Sequence, residues 1–179
     1  MIVYRLSIKK TITMLIGICS DTHDHVEHIQ KAVVVFRKRS VGMVIHAGDY
    51  CSPFTIPLFE GLPLHGIFGN NDGDKYLLMK KFDEIGAVLH GDFLTFEQDK
   101  LRFAVYHGTH AEITESLELC GKYDVIISGH THQARVDTIG DTLSINPGSV
   151  NGFDQDALVA LFDTETRLVK FVELMNTDD

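Results

Sequence analysis

Five short stretches of the chain concentrate side chains able to bind a metal ion: Asp21-Thr22-His23, Gly48-Asp49, Gly69-Asn70-Asn71-Asp72, His107-Gly108 and Gly129-His130-Thr131-His132. They offer imidazoles from His23, His107, His130 and His132, carboxylates from Asp21 and Asp49, and the amide oxygen of Asn70. Mixed nitrogen and oxygen ligation suits Mn²⁺, Fe or Zn²⁺ better than a thiolate-seeking ion or Ca²⁺. Seven donors are too many for one catalytic ion that keeps a position open for water. Two ions sharing a bridging carboxylate account for all of them, and such a cage activates water. Taken singly the signals are weak. Asp49 by itself reads first as a turn residue, and Gly-Asn is mostly turn chemistry. His130-Thr131-His132 is stronger, because two histidines one residue apart in an extended loop can reach the same site. The ordered set carries the weight.

The stretches fall where strands end. Residues 14–20 are a short apolar, partly β-branched run that reads as a buried strand. Val26, Ile29, Val33 and Phe36 recur at helical spacing, and Arg37, Lys38 and Arg39 crowd the last turn, where positive charge suits the helix dipole. Residues 41–47 form a second buried strand, a Pro-containing segment with Pro53 and Pro57 follows, and residues 64–68 form a third. Asp74 can cap a helix whose positions Leu77, Leu78, Phe82 and Ile85 face inward. Alternating strand and helix argue for a mostly parallel sheet. The second half reads as a hairpin, residues 92–97 and 101–106, a helix over 112–120, a buried strand over 125–128, then strands over 134–139, 142–145, 157–162 and 168–174. The economical assembly is two sheets face to face with helices outside. In open α/β sheets the carboxyl ends of strands border the ligand crevice, so the five loops converge at one edge.

Composition bounds the class. At 179 residues, 44% hydrophobic and 23% charged, the chain has the length and make-up of one globular domain. Asp+Glu 25 against Lys+Arg 16 gives a formal charge of -9, so non-specific attraction to nucleic acid or an anionic membrane is not expected. Long nucleic acid is not an expected partner, since no basic patch with interleaved aromatics is present. Cys19, Cys51 and Cys120, odd in number and without C-x-x-C spacing, read as reduced thiols of a cytoplasmic protein. No apolar run approaches the ~18 residues of a membrane span. Arg5, Lys9 and Lys10 precede an apolar segment, but no small-residue cleavage site follows, so a signal peptide is rejected. Met14 is expected to be the functional start, or residues 1–13 a loosely attached extension; alternation of Ile2, Tyr4, Leu6 and Ile8 makes an edge strand the competing reading. Residues 14–179 are expected to be a single domain, with homo-oligomerisation left open.

As an ordered series, Asp21-x-His23, Gly48-Asp49, Gly69-Asn70, His107-Gly108 and Gly129-His130-Thr131-His132, with Asn146-Pro147-Gly148-Ser149 as a further loop, closely resembles the calcineurin-like metallophosphoesterase superfamily, and within it the small bacterial and archaeal phosphodiesterase branch. The resemblance implies an α/β, four-layer αββα sandwich of two mixed sheets flanked by helices. It implies that Asp21, His23 and His132 hold one ion, that Asn70, His107 and His130 hold a second, and that Asp49 bridges them. It further implies a small phosphoester substrate, and two divalent ions, Mn²⁺ foremost with Fe, Ni²⁺ or Zn²⁺ as alternatives. Two such ions about 3.5–4 Å apart generate a hydroxide, orient it in line with phosphorus and neutralise the phosphoryl oxygens. The expected activity is metal-dependent phosphodiester hydrolysis; the alternatives are a phosphomonoesterase or nucleotidase with the same centre, and a non-catalytic protein-interaction scaffold of the same fold.

Two departures bear on catalysis. Many relatives place a histidine directly after the Gly-Asn asparagine, whereas this chain has Asn71, and an amide cannot act as a general acid. A preference for activated leaving groups follows. Relatives also frequently place a histidine directly after His107-Gly108; here Thr109 intervenes and His110 is a candidate proton donor or phosphate contact. His46 reads as a packing residue or a support to the ligands, Asp72 as a ligand-orienting residue or a helix cap, Arg135 as a surface residue that could meet phosphate, and His25, His28, His65 and His90 as structural or exposed.

Overall fold

The computed structural model describes residues 13–153 and 155–175. The readings for residues 1–12 lie outside the described residues. The elements in chain order are β1 (Leu15–Cys19), α1 (Val26–Lys38), β2 (Met43–His46), a 3₁₀ segment (Pro53–Phe59), β3 (Leu64–Gly66), α2 (Lys75–Glu84), β4 (Val88–Leu89), β5 (Phe93–Gln98), β6 (Leu101–Tyr106), α3 (Ala111–Leu119), β7 (Val125–Ile127), β8 (Arg135–Ile139), β9 (Thr142–Asn146), β10 (Leu158–Asp163) and β11 (Val169–Glu173).

The strands form two mixed sheets. One has the order β11-β10-β1-β2-β3-β4 and the other β5-β6-β7-β9-β8. In the first, β1, β2, β3 and β4 run parallel, while β10 runs opposite to them and pairs antiparallel with both β1 and β11. In the second, β6, β7 and β9 are parallel and the edge strands β5 and β8 antiparallel. Parallel neighbours put their carboxyl ends on one edge, and the metal-capable stretches follow β1, β2, β3, β6 and β7.

Side-chain alternation builds the layers. Ile16 and Ile18 of β1, Ile45 of β2 and Phe162 of β10 face the other sheet and pack with Phe103, Val105, Val125, Ile127 and Ile145. Phe103 anchors this inner layer, meeting Phe162 edge-on at 5.9 Å and stacking on Phe96 at 4.5 Å. The opposite face, with Leu15, Cys19 and Val44, packs under Ile29, Val33 and Phe36 of α1, Phe59 of the 3₁₀ segment and Phe82 of α2. On the far side of the second sheet, α3 inserts Glu118, which accepts from Ser144 Oγ at 2.5 Å and pairs with Arg135 at 2.7 Å. Helix, sheet, sheet and helix are thus the four layers expected.

Local chemistry places the ends. The Asp74 carboxylate accepts from the Leu77 N–H at 2.9 Å and caps α2 as expected. The β5–β6 hairpin turns on Asp99 and Lys100, with φ of 50° and 68°, the conformation that fits the strand twist. Two readings are corrected. Leu77 is 40% exposed, because Leu78 and Phe82, four apart, define the buried face of α2 and Leu77 lies about 100° off it. Val26, the first residue of α1, is 38% exposed, whereas Ile29, Val33 and Phe36 of the same apolar series are buried. The two-residue strand β4, too short to carry a periodicity, was invisible to sequence pattern.

Gly17 sits under Phe36 so closely that a Cβ there would lie 2.6 Å from the ring, and Phe36 is fully buried. Gly17→Ala is therefore expected to lower stability by about 1–3 kcal/mol, as overpacking does. Urea unfolding measures it; an unchanged midpoint would show that α1 can ride outward freely.

Candidate functional site

The loops after β1 and β2 are tied by backbone hydrogen bonds: Asp21 N–H donates to Gly48 O at 3.0 Å, and His23 N–H to Asp49 O at 3.1 Å. The loop after β7 joins through Gly129 N–H to His107 O at 2.8 Å, and through His130 N–H to Asp21 Oδ2 at 3.0 Å. Close approach explains the glycines. A Cβ on Gly48 would lie 2.6 Å from Gly69 N, and one on Gly129 would lie 2.7 Å from Asp21 Oδ2. Backbone strain is concentrated here as well: Asp21, His23, Asp49, His130 and His132 all have positive φ, between 39° and 67°. Non-glycine residues rarely adopt that region, and each such residue costs roughly 1–3 kcal/mol.

The strained loops aim their side chains at one point. His132 Nε2 lies 3.3 Å and His23 Nε2 3.7 Å from Asp21 Oδ1, while the two imidazole nitrogens are 3.2 Å apart. His107 Nε2 lies 3.4 Å from Asp49 Oδ2 and 4.0 Å from Asp21 Oδ1. Asp49 Oδ2 is also 3.6 Å from His23 Nε2, so this carboxylate faces both groups. The His130 ring stands edge-on to His107 at 5.3 Å. Asn70 borders the same side, its Oδ1 accepting from Thr109 Oγ1 at 3.4 Å. Two triads, Asp21-His23-His132 and Asp21-Asp49-His107, have ligand atoms within 4.8 Å of one another.

The donor set fits a cation, and orphaned atoms show it. Asp21 Oδ1 and His107 Nε2 are buried with no hydrogen-bond partner. Leaving either unpaired costs roughly 1–3 kcal/mol or more. His107 Nδ1 is held at 2.7 Å by the Ala47 carbonyl, so this nitrogen keeps its proton and, in the neutral ring that ligates a metal, Nε2 is the atom that presents a lone pair to the cluster. His23 is oriented likewise: its Nδ1 meets Cys51 Sγ at 3.2 Å, leaving Nε2 inward.

The charges respond to one another. Burial works to raise the Asp21 pKa, but contacts with His132 and His23 and the charge of His107 outweigh it and hold the carboxyl well below the usual range. Asp49 is likewise held down against burial, by His107 and by the Asn71 N–H and amide. For His107, burial favours the neutral ring, yet Asp49 and Asp21 raise its pKa. The Asp21 contact raises His132, whereas burial lowers His130.

The supports resolve alternatives left by the sequence. Asp72 caps no helix: its Oδ1 accepts from Tyr50 and Cys51 N–H and its Oδ2 from Asp49 and Gly69 N–H, at 2.6–3.1 Å. It clamps the Asp49 loop to the Gly69 loop. His46 Nδ1 accepts from Gly48 N–H at 3.2 Å, which leaves Nε2 to donate to Thr22 Oγ1 at 3.2 Å, and Thr22 donates to Asp49 O. Arg135 is engaged by Glu118 and Asp137. His65 and His90 pair with each other, and His25 stacks on His28. Asn71 lies on the cluster, donating from its N–H to Asp49 Oδ1 at 2.8 Å and from Nδ2 to Asp49 Oδ2 at 2.7 Å. His110 occupies the N-cap position of α3, exposed, with its N–H on the Tyr106 hydroxyl at 3.2 Å.

The sequence model of the calcineurin-like phosphoesterase superfamily domain matches residues 14–167. The chain belongs to this superfamily. It is 40% identical over 158 residues to a protein of Methanocaldococcus jannaschii named as a phosphodiesterase, covering 86% of this chain and 95% of that one. The solved structure of an archaeal phosphodiesterase superposes with a TM-score of 0.85 at 37% identity, over 89% of this chain and 99% of its own. Vps29 of Entamoeba histolytica, solved in complex with Zn²⁺, shares the fold at a TM-score of 0.57 and 17% identity, over 90% and 99% of the two chains. The superfamily uses a dinuclear divalent metal centre, for which the candidate residues are present here.

Sequence reasoning missed three supports in this superfamily member. Cys51 reads from the sequence as a reduced thiol, and its contact with His23 has no spacing signature. Ser149 Oγ donates to Asp21 O at 3.0 Å, and Asn151 Nδ2 to His23 O at 3.3 Å. Their position within and just after the Asn146-Pro147-Gly148-Ser149 loop was the available signal.

Burial lowers the His46 pKa to about 3. An unfolded histidine titrates near 6.5, so below that pH the unfolded chain binds a proton that the native state refuses, and stability falls as pH drops. His46→Gln removes this contribution. The stability difference between wild type and variant should narrow by about 1–2 kcal/mol from pH 6.5 to pH 5, measured by urea unfolding; a difference independent of pH would show that His46 is protonated in the native state.

Proposed function

We propose that the chain is a metal-dependent phosphodiesterase, with Asp21, His23 and His132 holding one divalent ion, Asn70, His107 and His130 a second, and Asp49 bridging the two. The observation that carries the reading is the pair of buried, partnerless atoms, Asp21 Oδ1 and His107 Nε2, 4.0 Å apart, with donor atoms of His23, His132 and Asp49 beside them. The likeness to the M. jannaschii phosphodiesterase supports it. The all-nitrogen-and-oxygen set suits Mn²⁺, Fe or Zn²⁺, and Mn²⁺ is the proposed metal on the family resemblance, with Fe, Ni²⁺ or Zn²⁺ as the alternatives. When bound, such ions supply an activated water and neutralise charge on phosphoryl oxygens.

The protein's own groups do the positioning. His107 and His23 keep Nε2 inward because their Nδ1 atoms are held by Ala47 O and Cys51 Sγ. Asp72 fixes the backbone that carries Asp49. Asn71 steadies the Asp49 carboxylate through two donors and offers an amide N–H, not a proton, to the reacting group. His110 is proposed as a contact of the departing group, because it follows Thr109, which borders Asn70. Residues 14–179 are proposed to act as one domain in the cytoplasm on a small phosphoester, and whether copies of the chain associate is a question for its solution mass.

Asp49→Ala should lose bound metal and lower hydrolysis of bis(p-nitrophenyl) phosphate by more than about a hundredfold, beyond the ~10–100-fold expected from removing an outer support. Metal content and turnover are measured together with Mn²⁺ added, and p-nitrophenyl phosphate serves as the monoester comparison. Faster monoester turnover would favour a phosphomonoesterase, and a well-folded wild type that binds no metal and hydrolyses neither would favour a scaffold. Across aryl diesters of rising leaving-group pKa, rates should fall steeply in wild type and more steeply in His110→Ala. Superimposable slopes would remove His110 from the reaction.

A further inference from the structure

The segment that closes the site after β9 is fastened to the metal loop. Val150 N–H donates to Ser20 O, Asn151 N–H to Asp21 O, both at 3.1 Å, and the Asn151 amide reaches His23 O. Two residues on, this segment displays Phe153, 63% exposed, its ring 6.5 Å from the His23 ring and tilted 53° to it. Phe153 belongs to neither hydrophobic core. A bulky aromatic left in water beside the ligand cluster, on backbone fixed to that cluster, has no account in the stability of the fold.

A second observation points the same way. Phe153 borders an open hollow of about 500 Å³ that is also lined by Met175, 61% exposed, and by His25 and His28. Met175 arrives from beyond β11, so two of the most exposed apolar side chains meet at one hollow from distant parts of the chain. The histidines lie face to face, centroids 3.7 Å apart and 13° from parallel. The hollow therefore offers aromatic rings and a polarisable thioether, with the carboxylates of Glu27 and Asp156 also in its lining and no lysine or arginine among the described residues there. Flat uncharged groups match this lining, since bases and aryl rings stack on aromatic side chains whatever their substituents and the two carboxylates turn away a ring that is itself anionic.

We propose that this hollow is the subsite for a planar aromatic or heteroaromatic ester group of the diester, with Phe153 as the specificity-determining residue. The inference rests on the phosphodiesterase reading: phosphate lies at the ligand cluster and the ring it carries lies against Phe153. Nucleobases and simple aryl groups share this chemistry.

The test holds the leaving group fixed as p-nitrophenol and varies the retained ester group among methyl, phenyl and thymidin-5′-yl, using the full chain with Mn²⁺. Wild type should prefer the ring-bearing diesters over the methyl diester by about tenfold or more in kcat/KM, as expected of one stacking contact. Phe153→Ala should abolish the preference while leaving the methyl diester within about twofold, and Phe153→Trp should keep it. A larger effect on thymidin-5′-yl than on phenyl identifies a nucleobase site, and equal effects an aryl site. Because the chain contains no tryptophan, Phe153→Trp also supplies a binding signal independent of turnover. Its fluorescence should be quenched saturably by thymidine 5′-monophosphate or phenyl phosphate and not by inorganic phosphate. Quenching without hydrolysis of any diester would overturn the phosphodiesterase reading and keep the subsite. Equal losses on all three diesters in Phe153→Ala, no loss on any, or no saturable quenching would overturn the subsite.

Discussion

The structure depends on unpaired donors held close together in a place water hardly reaches. Asp21 and His107 are essentially buried, yet each keeps one polar atom without a partner. Folding tolerates this only because carboxylates and imidazoles alternate around the point where those atoms meet, each sign stabilising the other. Asp21 and Asp49 remain ionised although burial opposes it, and His107 and His132 become more basic for the same reason. A cavity with this charge pattern answers to positive charge, whether protons on histidine or divalent cations, and competition between the two follows from the need for neutral imidazole in ligation.

Around that point the backbone is strained and braced. Five of the seven candidate ligands occupy positive φ, a conformation no side chain adopts without compensation. The bracing comes from loop to loop. Asp72 gathers N–H groups from two loops, Gly48 and Gly129 let main chains approach where a Cβ would collide, and backbone hydrogen bonds join the β1 loop to those after β2 and β9. Rigidity in the sheets is what makes such bracing possible. Inner faces carrying Phe103, Phe162 and the isoleucines lock the sheets together, so the loop ends start from fixed points. The same bracing extends to Phe153, which links the geometry of the centre to what lies beside it.

Much of this was legible in the sequence. Apolar runs of four to seven residues followed by a metal-capable side chain, in most cases beside a glycine, marked the strands and the sites at their ends, because strand burial and close loop approach both leave local marks. The cap at Asp74 and the β5–β6 turn were local as well. Leu77 was misplaced because a helix pattern alone does not choose between neighbouring faces when the partner surface is small. β4 escaped because two residues have no period. Asp72 was ambiguous, since a turn aspartate near a helix start looks the same whether it caps that helix or reaches back to an earlier loop.

By itself, the sequence determined which residue types stand at the ends of which strands, and with them the chemistry available: nitrogen and oxygen donors, a missing histidine at Asn71, no thiolate set. These are decided by side-chain identity and by short-range periodicity. Only the tertiary structure decided which atoms remain unpartnered, which nitrogen of His107 faces inward, that Cys51 supports His23, and that Phe153 is left in the open beside the centre. Those facts belong to contacts between loops far apart in the chain, and they exist once two packed sheets fix the loops against one another.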